Sequence, residues 1–125
     1  MTRKFAAALA ILSLLGTPAL AQFGSASEII QSIGGNRFMR AAGKVDGASS
    51  ARVERLSTFL GASSADQRLA RAEAIYESDL DYLHRNLAMS PIAMQAIRAA
   101  GFEVDDIIAL VLDSEGSAIL YADDL

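Results

Sequence analysis

The chain contains no cysteine and no tryptophan, a single histidine (His84) and two prolines. These absences exclude disulfide scaffolds, thiolate zinc sites, iron–sulfur clusters, thiolate-ligated haem and cysteine nucleophiles. One histidine permits at most one Ser-His-Asp arrangement, and no serine sits in a G-x-S-x-G elbow. Lysine is scarce too: beyond Lys4 only Lys44 remains, so Ser-Lys chemistry would rest on that residue alone. Gly34-Gly35 lacks the G-x-x-x-x-G-K-[ST] pattern of a phosphate cradle. No catalytic constellation is present, so the expectation is a protein that is not an enzyme and carries no cofactor.

Long apolar runs are missing as well. The longest, Phe5 to Leu15, is followed by Gly16 and Pro18 and falls short of the roughly 20 residues that span a bilayer. With Arg3 and Lys4 before it and Ala19-Leu20-Ala21 after it, it reads as a secretory signal cleaved before Gln22. The Ala19 and Ala21 side chains are small enough for the peptidase pocket, and no cysteine follows to take a lipid. The expected product is a bacterial periplasmic or secreted protein of 104 residues, 125 less 21, with no stable membrane anchor after cleavage. One domain is expected at this length.

Formal charge is −4, and loss of Arg3 and Lys4 takes it to −6. A net acidic chain lacks the Lys and Arg excess that supplies most nucleic-acid affinity. The charge is uneven: Arg37, Arg40, Lys44, Arg52, Arg55, Arg68 and Arg71 lie in one stretch against Asp46, Glu54 and Asp66, whereas residues 99–125 hold only acids. Either the two halves neutralise each other in the fold, or the molecule is dipolar and docks by its acidic end, where Asp105 and Asp106 lie.

Six glycines (24, 34, 35, 43, 47 and 61) fall between residues 22 and 61, and none between 62 and 100. That contrast predicts a loosely structured segment over 22–50 and a folded α+β domain over 51–125. Within the first, Ser27 can cap a short helix bearing Ile29, Ile30 and Ile33 that ends at Gly34-Gly35, with Phe38 and Met39 in a second turn. Further on, Ser64-Ala65-Asp66-Gln67 fits a capping box. From there Leu69, Ala72, Tyr76, Leu80, Leu83 and Leu87 recur at helical spacing, which predicts one long amphipathic helix to about Met89.

Ser90 then reads as an N-cap with Pro91 at the first helical position. Ile92, Ala96 and Ile97 would line one face of this second helix, and Gly101-Phe102 would end it. Beyond a helical turn at Asp105 to Ile108, Ala109–Leu112 and Ser117–Ala122 flank Asp113-Ser114-Glu115-Gly116 as a β-hairpin. Ala51 to Ser57 supplies a third strand, although Val53 and Leu56 do not share one alternating phase. The prediction is a small α+β domain of three short strands, packed on one face by the long helix and its shorter partner.

Glu77, Asp81 and His84 lie at i, i+4 and i+7 on the predicted long helix, with Glu73 beside them. Such a strip could hold a divalent metal, or it is a solvated edge in which Asp81 pairs with Arg85. Met39, Met89 and Met94 lack the tight spacing of a copper motif and read as core filler. Asp113 to Gly116 has its glycine in the wrong place for a calcium loop and reads as a turn. The acidic Asp123-Asp124-Leu125 tail would discourage edge-to-edge sheet association.

The function expected is that of a non-enzymatic interaction module with an unidentified protein partner, motivated also by the apolar helix Pro91 to Ala100. The alternatives are a periplasmic metal-binding accessory using Glu77, Asp81 and His84, and an envelope structural protein held in homo-oligomers by the Leu stripe.

Overall fold

The computed structural model describes residues 23–125, and the expected signal and its cleavage residues Ala19, Ala21 and Gln22 lie outside them. Chain order begins with two short helices, α1 (Ala26–Ser32) and α2 (Asn36–Ala42), a 3-10 turn at Val45–Gly47, and strand β1 (Ser50–Arg55). After 3-10 turns at Leu56–Thr58 and Ala62–Ser64 come α3 (Asp66–Ile75), α4 (Glu77–Ala88) and α5 (Pro91–Ala99). A last 3-10 turn, Val104–Asp106, leads into β2 (Ile107–Leu112) and β3 (Ser117–Ala122). The protein is a small α+β domain with five helices and a three-stranded sheet.

The Gly-rich segment is far more ordered than its composition predicts. Ser25, not Ser27, caps α1: its hydroxyl accepts the Glu28 amide at 3.2 Å, while the Glu28 carboxylate reaches back to the Gly24 amide at 2.6 Å. Ser27 lies inside the helix instead and accepts from Arg68 at 3.1 Å. Ala26, Ile29, Ile30, Ile33, Phe38, Ala42 and Val45 are all buried in the same cluster as the strands, so the core starts at Ala26 rather than near residue 51. Glycine raised the entropy cost of ordering this segment, and its large apolar side chains outweigh that cost by burial.

The predicted long helix is two helices. Tyr76 departs from helical geometry (φ −108°, ψ 30°) and separates α3 from α4, although the Tyr76 amide still bonds Ala72 and the Leu80 amide still bonds Tyr76. The leucine spacing runs unbroken through this kink because Leu69, Ala72, Leu80, Leu83 and Leu87 stay on the buried side. Those leucines are therefore consumed by the core. The expected capping box also fails to form. Ala65 occupies the N-cap, with no side-chain bond, and the Ser64 hydroxyl donates to the Gly61 carbonyl.

The second helix starts and stops as predicted. The buried Ser90 hydroxyl accepts the Ala93 amide at 3.0 Å, with Pro91 at the start. At the far end the Phe102 amide bonds the Ile97 carbonyl and the Gly101 amide bonds that of Arg98, with Gly101 at φ +87°, which is a complete Schellman motif. Its buried face is Ala93 and Ile97; Ile92, expected inside, is 40% exposed.

The sheet order is β1-β3-β2, with β3 central, antiparallel to β2 and parallel to β1. The strand predicted over 51–57 is β1, which ends at Arg55, and the buried Leu56 begins a 3-10 turn, which accounts for its phase mismatch with Val53. Ala118, Ile119, Leu120, Tyr121 and Ala122 are all buried in succession, so both faces of β3 are covered, rather than the one face predicted. On one of them the rings of Phe23 and Phe59 meet Tyr121 edge-on at 5.2 and 5.7 Å. Among the described residues no helix is long and apolar enough to cross a membrane.

Candidate functional site: a groove along strand β2

The hairpin turn sets the site. The Asp113 amide donates to Ser117 and the Gly116 amide to Asp113, both at 3.1 Å, with Gly116 at φ +89°: a type I turn closed by a bulge. The bulge frees the Ser117 amide, and the Asp113 carboxylate captures it at 2.9 Å together with the Glu115 amide at 2.8 Å. The pair Asp113 and Ser117 thus starts the ladder in its hydrogen-bonded phase. By alternation along the register Val111 with Ile119 bonds across to β3, whereas Leu112 with Ala118 and Leu110 with Leu120 do not. The amides and carbonyls of Leu110 and Leu112 therefore face away from β3.

They face a groove, because β2 is an edge strand. Its cavity measures about 580 Å³ and lies between β2 residues 110–112 with the turn and the helix α2. Arg37, Arg40, Ala41 and Lys44 form the opposite wall, and the partly buried Phe23 adds apolar surface. Among the described residues no backbone or side-chain group hydrogen-bonds the outward amides and carbonyls of Leu110 and Leu112. Unpaired strand backbone beside a groove is a template for another strand.

The polar strip singled out from the sequence is not assembled. Glu77 and Asp81 are exposed on α4, and Glu73 belongs to the separate helix α3. There burial pushes the Glu73 carboxyl above its ordinary value, and the nearby charge of Asp123 adds to the effect. His84 is half-buried; its Nε2 donates to the Ile107 carbonyl at 2.7 Å, and its Nδ1 stands 3.6 Å from an Asp105 carboxylate oxygen. Among the described residues no three His, Asp or Glu side chains come together in a metal-binding group. Met39 and Met94 pack against the core, and Met89 is 61% exposed.

The acidic end is largely occupied within the fold. Asp106 accepts the Glu103 amide at 2.9 Å, and Asp124 accepts both the Ser57 amide at 2.9 Å and its hydroxyl at 2.6 Å. Partial burial raises the Asp124 pKa, but the Ser57 bonds, with help from Arg55, outweigh it and hold the carboxyl below its ordinary value. These acids cap turns and tie the chain end to the loop after β1.

No protein-family model, no curated protein and no solved structure matches this chain.

The groove is a feature that sequence reasoning missed. Its wall residues Arg37, Arg40 and Lys44 were legible as a basic stretch, and their helical spacing was a usable signal. What hid the site was the strand order, which puts β3 in the middle and leaves β2 at one edge.

Proposed function

We propose that the protein is a small exported, non-enzymatic interaction module, acting in the periplasm or the medium after removal of residues 1–21, that recognises an extended segment of a partner protein along β2. The observation that carries this reading is the outward backbone of Leu110 and Leu112, without a partner among the described residues, beside a groove of about 580 Å³. An added strand would pair with these groups, entering at the half-buried Leu112, since Leu110 is only 4% exposed. Export is supported by the tripartite pattern of residues 1–21 with Ala19, Ala21 and Gln22 at the cleavage position.

The test is made in the organism that produces the protein. A photo-crosslinking side chain replaces Arg40 in the groove or, as a control, Arg85 on α4. The reading expects an intact mass beginning at Gln22, recovery outside the inner membrane, and a discrete cross-linked protein from position 40 only. Retention of residues 1–21, or the same cross-links from both positions, would remove it.

A further inference from the structure

Resting on the reading that a strand adds to β2, the chemistry of that strand follows from the facing wall. Arg37, Arg40 and Lys44 recur at spacings of three and four residues, so they line one side of α2 and its continuation, along the groove. All three are exposed, and none forms an ion pair with a carboxylate among the described residues, where the pairs are Arg52 with Glu54 and His84 with Asp105. Two acids stand at the turn end of the same groove, Asp113 and Glu115. One of them is already committed, since the Asp113 carboxylate holds the Glu115 and Ser117 amides. In a chain of net charge −4 this wall is a local reversal of sign.

We infer that the occupant is an extended, acidic segment of a partner protein, bound as a fourth strand on β2 with its carboxylates toward Arg37, Arg40 and Lys44. The dimensions agree. Seven residues of helix rise about 10 Å, which three to four residues of strand at roughly 3.3 Å each would follow. Backbone bonds to Leu110 and Leu112 would hold the segment in place, and the cations would select it. Alternation along a strand sends every second side chain to the same side, so acids at alternate positions suit the wall and apolar residues between them suit Phe23 and Val111.

Three blocked five-residue peptides test this, alternating valine with glutamate, with lysine or with threonine, each titrated into the 15N-labelled protein. The glutamate peptide is expected to shift the Leu110 and Leu112 amides and to bind more tightly than the other two. In the triple variant Arg37→Glu, Arg40→Glu, Lys44→Glu its affinity should fall about tenfold or more, the lysine peptide should become preferred, and the spectrum should keep its dispersion. If all three peptides bind alike at those amides, selection by charge is wrong while strand addition stands. If none moves those amides, both ideas fall. Should the same amides shift with protein concentration alone, the occupant is a second copy of this chain, and the acidic partner is ruled out.

Discussion

The ring of Tyr76 lies against the α-carbon of Gly34, so close that a Cβ on that glycine would overlap the ring carbons. This contact joins the end of α1 to the kink between α3 and α4. Gly34 also adopts φ +78°, where a side chain is strained independently of its neighbours.

Gly34→Ala therefore meets two penalties, whereas Gly61→Ala, at φ +82° with open space around it, meets one. Gly61→Ala should cost about 1 kcal/mol and Gly34→Ala at least about 2 kcal/mol. Urea unfolding of both variants checks this, and equal losses would show that the ring yields without cost.

Ser90 is almost fully buried, with its hydroxyl on the Ala93 amide at 3.0 Å. Ser90→Ala leaves that donor without the cap, and a loss of about 1 to 2 kcal/mol is expected, with Ser90→Asp retaining more stability than alanine. Thermal unfolding at fixed pH measures both; an unchanged midpoint in the alanine variant contradicts the assignment.

Asp124 is held below the ordinary carboxylate value by its bonds to Ser57. A depressed folded value means that its contribution is present at neutral pH and is lost as the pH falls through that value. Asp124→Ala should cost about 1 kcal/mol at pH 7, and the curves of the two proteins should converge in acid. A gap that stays constant from pH 7 downward would assign the loss to packing instead.

Tyr121 is pushed up to about 12 by burial first and by the charge of Glu54 second, with Arg52 partly opposing them. Its neutral phenol is favoured in the fold, so the stability this contributes is complete below pH 10 and disappears as pH rises through about 12. In an ultraviolet absorbance titration, Tyr121→Phe should remove the most alkaline of the tyrosine steps. Loss of an earlier step would place the buried phenol elsewhere.

Local chemistry was readable wherever a few adjacent residues act on one another. Ser90-Pro91, Gly101-Phe102 and the Asp113 to Gly116 turn each form as their residue types dictate, because capping and positive φ are satisfied within one turn of chain. Ser64-Ala65-Asp66-Gln67 shows the limit of that logic: the pattern is there, but the preceding 3-10 turn directs the Ser64 hydroxyl to Gly61. Likewise Glu77, Asp81 and His84 share a helix face in the sequence, yet His84 is drawn inward to Ile107 while the two acids stay in solvent.

By itself the sequence determined the α+β class, the hairpin, the third strand and the two ends of α5, since each depends on periodicity or on turn chemistry over fewer than about ten residues. Only the tertiary structure decided that Ile29, Ile33 and Phe38 complete the core, that Tyr76 breaks the long helix, and that β3 lies between β1 and β2. Those outcomes depend on contacts between segments distant in the chain, such as Gly34 with Tyr76 and Arg52 with Ile119. The groove belongs with them: its cations were visible in the sequence, but the open strand edge opposite them exists only because of the order in which the strands pair.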